Sequence, residues 1–118
     1  MSDDSQIHVP AAFIALHVAP GRHPRAHEAA DIARRHEVCE DLAQSLVERA
    51  QQVQFQLGIT EADVLDKMLV SLQAVAEGGA ADVLPNPQEA GWVVGRLAEL
   101  LGWSDHLSDA VRALAGPH

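Results

Sequence analysis

The chain has 118 residues and a net charge of −9, and 47% of its residues are hydrophobic although only 3% are aromatic. The negative charge disfavours nucleic acid and anionic membranes as partners, and a single cysteine excludes an internal disulfide. The longest apolar stretch, residues 9–19, is too short to span a bilayer, and the acidic first residues do not resemble a secretory signal. A composition rich in Ala and Leu favours helices, so we expect a small all-α protein of the cytoplasm.

The N-terminal part of the chain divides at its prolines and glycines. Residues 1–8 are polar and are expected to be disordered, and residues 9–116 are expected to form a single helical domain. Residues 10–18 fit either a short helix, with Phe13 and His17 one turn apart, or a buried strand. Pro20 and Gly21 predict a turn.

The strongest pattern predicts one long helix from Pro24 to Leu57, ended by Gly58. Its apolar stripe advances in steps of three and four residues: Ile32, His36, Cys39, Ala43, Leu46, Ala50, Val53 and Leu57. Such a helix would be about 50 Å long, whereas a compact chain of this length has a radius of gyration of about 13 to 14 Å. The helix therefore breaks, or the molecule is elongated, or a second copy covers the excess, and we expect a homodimer.

Half of the eight basic side chains lie near the start of this helix: Arg22, Arg25, Arg34 and Arg35. Acidic residues are interspersed among them, which is typical of a solvated helix face with local ion pairs. The alternative is a site for an anion or an acidic partner.

The segment His36-Glu37-Val38-Cys39-Glu40 is the one candidate for metal binding. His36 shares a helix face with Cys39 and with Glu40, but a zinc or iron site needs three or four ligands. One helix supplies two good ligands at most, so other histidines would have to complete the set. The simpler interpretation is that Cys39 is a small core residue and His36 a hydrogen-bonded one, with no metal and no cofactor.

Two further helices have clear starts. Thr60 is expected to cap a helix with Asp63 in its first turn, and that helix has an apolar stripe formed by Leu65, Met68, Leu69, Leu72 and Ala76. Asn86, Pro87 and Glu89 then predict a capping box for a helix that runs to about Leu101. A last helix is expected to start at Ser104 or Asp105, with an apolar side formed by Leu107, Ala110, Val111 and Leu114.

The helix after Asn86 has two unusual faces. One is a smooth strip of small residues, Gly91, Gly95, Ala98 and Gly102, which favours close approach of another backbone. The other carries Trp92, Arg96, Glu99 and Trp103, a combination typical of contact surfaces, so we predict a partner site there. The alternative is that the N-terminal segment, with Phe13 and Leu16, folds over the two tryptophans.

Motifs for catalysis are absent from the sequence. It contains no phosphate-binding P-loop, no glycine-rich dinucleotide fingerprint and no nucleophile elbow, so an enzyme is not favoured. The phrases PGRHPRAHEAADIARRHEVCEDLAQ, LGITEADVL and EAGWVVGRLAELLGW resemble a group of short proteobacterial proteins labelled "ATPase with chaperone activity", over most of residues 7–103. The resemblance implies a bacterial cytoplasmic protein and brings no catalytic residues. Without a P-loop, an accessory partner of a chaperone machine fits better than an ATPase.

The sequence thus predicts an all-α bundle of four or five helices built around one long helix. Its expected function is that of a non-catalytic interaction or adaptor protein that self-associates and binds another protein. The alternative is a small metal- or ligand-binding protein that uses His36, Cys39 and Glu40.

Overall fold

The protein is all-α. The computed structural model describes residues 9–19, 21–78, 85–109 and 111–112, apart from the side chains of residues 76–78. Four helices are present in these ranges: α1 (Ala11–Ile14), α2 (Ala26–Leu57), α3 (Glu61–Gly78) and α4 (Pro87–Leu101). Helix α4 packs against both α2 and α3, which also contact each other. The predicted bundle around one long helix is confirmed, whereas the expected disorder of residues 1–8 lies outside the described residues.

Helix α2 is a single unbroken helix of 32 residues. It begins two residues later than expected, where Glu28 accepts a hydrogen bond from the backbone N–H of Arg25 at 2.9 Å. It ends at Gly58, whose φ of 63° is left-handed and whose N–H donates to the carbonyl of Gln54. At 1.5 Å per residue α2 is about 48 Å long, which matches the longest dimension of a molecule measuring 46 × 34 × 23 Å. The molecule is therefore elongated, and the helix does not break.

The apolar stripe of α2 is covered within one chain over most of its length. Five members are buried, namely Ile32, His36, Cys39, Ala43 and Ala50. Leu46 and Val53 are half-buried, and Leu57 in the last turn is exposed. A second copy is thus not required to cover the stripe before its last turn.

Helix α4 is the central element. Its capping box forms as predicted: the Asn86 side chain accepts from the N–H of Glu89 at 2.7 Å, and the N–H of Asn86 donates to the Glu89 carboxylate at 2.9 Å. Residues 89–95 are all buried. Gly102 is not part of a packing strip, because it ends the helix in the left-handed conformation with a φ of 75°.

Two apolar clusters lie against α4. The first joins it to α1 and to the N-terminal half of α2 and is formed by Phe13, Val18, Ile32, Cys39, Ala43, Trp92 and Val93. The second joins it to α3 and to the C-terminal half of α2 and includes Ala50, Val64, Leu65, Leu69, Ala90, Val94, Leu97, Ala98 and Val111. We call them the N-terminal cluster and the C-terminal cluster. Each one buries a different part of the α2 stripe.

The start of α3 agrees with the sequence prediction, whereas the last helix starts later than predicted. Thr60 Oγ1 accepts from the N–H of Asp63 at 3.1 Å, as expected for the start of α3. Ser104–His106 form only a 3-10 turn. Helical structure resumes after Ser108, whose hydroxyl accepts from the N–H of Val111 and donates to Asp66 of α3. The helix therefore starts after Ser108, later than predicted. Of its predicted apolar side, Ala110 and Leu114 lie outside the described residues.

The left-handed residue at the end of α2 gives a first prediction. Gly58→Ala should lower the free energy of unfolding by about 1 kcal/mol, because an L side chain is strained at a positive φ. Gly58→Asn should retain most of the stability, since asparagine tolerates this conformation. Urea denaturation followed by circular dichroism measures both. Equal stability of Gly58→Ala and the wild type would contradict the assigned helix end.

Candidate functional site

A fully buried carboxylate lies where the N-terminal elements meet. Glu89, in the first turn of α4, has a side chain that is 0% exposed. Arg35 of α2 donates to both of its oxygens, from Nε to Oε2 and from Nη2 to Oε1, each at 2.6 Å. This two-pronged geometry is the strongest kind of arginine–carboxylate pair. It joins α2 to α4.

The same carboxylate also contacts the N-terminal segment. His17 Nε2, just after α1, lies 2.8 Å from Oε2 of Glu89. This is an ion-pair distance, although Nε2 makes no hydrogen bond of good geometry with any described residue. Glu89 therefore gathers groups from α2, from the turn after α1 and, through Asn86, from its own helix cap.

The environment of Glu89 favours the charged form of the carboxyl group. Burial alone would raise the pKa of Glu89, since a charge loses hydration there. The hydrogen bonds from Arg35 and from the Asn86 N–H, with the charges of Arg35 and His17, outweigh burial and lower its pKa below 4.5. The cluster is therefore a paired ionic centre. It does not have the raised pKa of a general acid.

Aromatic rings surround this ionic centre on its apolar side. The Phe13 ring lies 5.3 Å from His17, 5.4 Å from His36 and 5.1 Å from Trp92, measured between ring centres. His36 and Trp92 also meet edge to face at 5.2 Å. Phe13 is fully buried by these contacts. Edge-to-face pairs of this kind add to the stability gained from burial.

The structure separates the four residues predicted as a partner surface. Trp92 is only 4% exposed, because the N-terminal segment covers it as in the alternative interpretation. Trp103 is half-buried against the C-terminal cluster. Arg96 pairs with Glu40 of α2 at 2.9 Å and with Glu99 at 3.2 Å. The exposed-surface interpretation therefore does not hold for Trp92, and partner binding by the other three stays a prediction.

The arginines near the start of α2 are mostly engaged with carboxylates of the same chain. Arg22 pairs with Glu28 at 2.9 Å and Arg34 with Asp31 at 2.8 Å, both at the surface. These two fit the interpretation of a solvated helix start. Arg35 differs, because its partner is the buried Glu89. Arg25 is exposed, and an anion site at this patch stays a prediction.

Among the described residues, the three candidate metal ligands, His36, Cys39 and Glu40, do not form a metal-binding group. The carboxylate of Glu40 accepts hydrogen bonds from Arg96 and Gln44. Cys39 is fully buried, and burial together with the charge of Glu89 outweighs Arg35 and raises the pKa of its thiol to about 12. Within the described ranges, no group of three or more His, Cys, Asp or Glu residues could hold a metal ion.

No protein-family model, curated protein or solved structure matches the chain. None of the helices among the described residues combines the length and the apolar character needed to cross a bilayer.

The ionic centre is not among the sites that the sequence predicts. The sequence places Glu89 only in a capping box and Arg35 only in a basic patch. A signal was present in the spacing: Arg35 follows Ile32 by three residues and precedes Cys39 by four, so it lies on the edge of the buried stripe. A carboxylate on the central helix is the natural partner for such an arginine.

The ionic centre gives a second prediction. Glu89→Gln should lower the free energy of unfolding by about 3 kcal/mol near neutral pH, because it leaves Arg35 without its charge partner. Glu40→Gln is the matched control, since it disrupts the more exposed pair with Arg96 and should have an effect of about 1 kcal/mol or less. Chemical denaturation of both variants beside the wild type measures the difference.

The pH dependence of the Glu89→Gln effect follows from the pKa of Glu89. Because the folded state lowers this pKa below 4.5, the stabilisation is fully present above that value and is lost as the pH falls through the folded-state pKa. The stability difference between wild type and Glu89→Gln should therefore be full near neutral pH and shrink as the pH falls below about 4.5. A difference that stays constant as the solution is acidified would contradict a charged Glu89.

The buried thiol gives a third prediction. Cys39 should react with a thiol reagent only when the protein unfolds, because its side chain is inaccessible and its pKa is about 12. Labelling with Ellman's reagent, with and without urea, measures this directly. Rapid labelling of the native protein would show that the N-terminal cluster opens readily.

Proposed function

We propose that the protein is a non-catalytic helical interaction protein that self-associates through the hairpin formed by α2 and α3. The supporting observation is the position of its exposed apolar side chains. Four of the five large exposed hydrophobic residues among the described residues lie in the second half of this hairpin or at its turn: Phe55, Leu57, Val70 and Val75. Solvent-exposed apolar surface of this kind marks contact sites when it is concentrated.

The exposure of Phe55 is the most unusual of these. Its side chain is 87% exposed on the outer side of α2. The chain contains only two phenylalanines, and the other one, Phe13, is fully buried. Leu57, which ends the apolar stripe of α2, is 56% exposed in the last turn but lies on a different side of the helix. A second molecule packed against the outer side of α2 would remove Phe55 from water.

The outer face of α3 supports a second copy as the partner. A surface groove of about 400 Å³ there is lined by Asp66, Lys67, Val70 and Ser71. In a two-fold dimer the same patch of each subunit meets its counterpart. Lys67 of one copy can then approach Asp66 of the other while the two Val70 side chains are buried. Lys67 is the only lysine in a chain with a net charge of −9.

Adaptor activity would follow from the same dimer. Two copies would present their acidic outer faces together, and a basic or mixed-charge protein would be the expected partner. The resemblance to proteins labelled with chaperone activity makes an accessory role in a chaperone system one such function. A lone buried cysteine suits a reducing compartment, so we propose that this function belongs to the cytoplasm.

Self-association gives a fourth prediction. Sedimentation velocity at micromolar concentrations should detect a dimer of the wild-type protein. Phe55→Glu and Val70→Glu should each shift it to monomer, because a charge would be buried in the contact. The matched control is Ala30→Glu, which adds the same charge to an exposed position near the start of α2, far from Phe55, and should leave the dimer intact. A wild-type protein that stays monomeric would overturn the proposal.

A further inference from the structure

The N-terminal segment, residues 9–18, is attached to the rest of the protein through its side chains. Its described backbone hydrogen bonds all stay inside it: the N–H groups of Phe13 and Ile14 donate to Pro10, and those of His17 and Val18 donate to Ile14. Helix α1 within it is only four residues long. The segment is thus held as a short bound peptide is held, by pockets for its side chains.

The surface beneath the segment is a groove between α2 and α4. Its apolar floor is formed by Ile32, Cys39 and Val93 together with the rings of His36 and Trp92. Phe13 is fully buried against this floor, and Val18 is also buried. One helical turn after Phe13, His17 lies over the carboxylate of Glu89. The groove therefore offers an aromatic-lined pocket and an acidic position at a spacing of four residues.

The walls of the groove have supports that do not involve the segment. The start of α2 is held by Glu28, which accepts from the backbone of Arg25 and from the guanidinium of Arg22. The start of α4 is held by Asn86, and Arg35 joins the two helices through Glu89. None of these contacts is made by a residue of the segment.

We propose that residues 9–18 are an intramolecular cover over a binding groove, which accepts a short amphipathic helix of another protein. The partner helix would carry an aromatic side chain and, four residues later, a basic one. This inference goes beyond self-association and concerns a different surface, between α2 and α4.

The chemistry of the cover segment defines the partner. The aromatic residue would take the place of Phe13 against Trp92, and the basic residue would take the place of His17 at Glu89. Lysine or arginine would bind better than histidine there, because each keeps a full positive charge at neutral pH. The net charge of −9 would also favour the approach of a basic helix.

A peptide that copies the cover segment tests the proposal. A fluorescein-labelled peptide of residues 9–18, VPAAFIALHV, is titrated with full-length protein and its anisotropy is measured. Full-length Phe13→Ala should bind the peptide at least about tenfold more tightly than the wild type, because its own segment no longer competes for the groove.

Variant peptides test the aromatic pocket and the position at Glu89 without changing the fold of the protein. Measured against full-length Phe13→Ala, a peptide with Phe13→Ala should bind about tenfold or more weakly than the parent peptide. A peptide with His17→Glu should be weakened similarly, because it places a carboxylate against Glu89. A peptide with His17→Lys should bind as tightly as the parent peptide or more tightly. Equal binding of all four peptides would overturn the assignment of the groove.

A second full-length variant, His17→Glu, is used in case Phe13→Ala loses its structure. Its residues 9–18 should leave the groove because the new carboxylate is repelled by Glu89, while the aromatic residues stay unchanged. If either variant keeps its helical content by circular dichroism but binds no peptide, the groove is not a binding site. If both variants unfold, the segment is an integral part of the core, and the proposal is also overturned. Sedimentation velocity reports separately on the α2–α3 hairpin, so the two proposals can fail independently.

Discussion

The arrangement of the N-terminal half depends on the carboxylate of Glu89. This one group completes the cap of α4, accepts both hydrogen bonds from the Arg35 guanidinium and lies against His17. A carboxylate without exposure to water is stable only when such partners replace its hydration. The angle and register between α2 and α4 are therefore constrained by directional hydrogen bonds as well as by apolar packing. Apolar packing alone would allow the two helices to shift along each other.

The fold was predictable from local signals, because those signals act within a few residues. Gly58 ends α2 and Asn86 begins α4 through contacts along the chain, and the spacing of apolar residues gave the buried face of α2. The partner of a buried charge is a different matter. Arg35 and Glu89 are 54 residues apart, and no local pattern relates two positions on different helices. The stripe position of Arg35 indicates that it needs a partner, but the identity of that partner becomes clear only when α2 and α4 lie side by side.

The two tryptophans show the same limit of local sequence patterns. A face with Trp92, Arg96, Glu99 and Trp103 is equally consistent with a contact surface and with a core position, because both environments favour large aromatic side chains. The outcome depends on whether Phe13, far away in sequence, folds over Trp92. It does so by edge-to-face contact at 5.1 Å, and the large hydrophobic side chains that stay exposed among the described residues lie on the α2–α3 hairpin.

The division of the core into two clusters has a spectroscopic consequence. Trp92 belongs to the N-terminal cluster and Trp103 packs against the C-terminal cluster, and the chain has no tyrosine. Intrinsic fluorescence therefore comes from one indole in each half of the molecule. With one or the other replaced by phenylalanine, the remaining indole reports on a single cluster. The protein thus contains a natural pair of optical probes that can reveal whether its two halves melt together or in sequence.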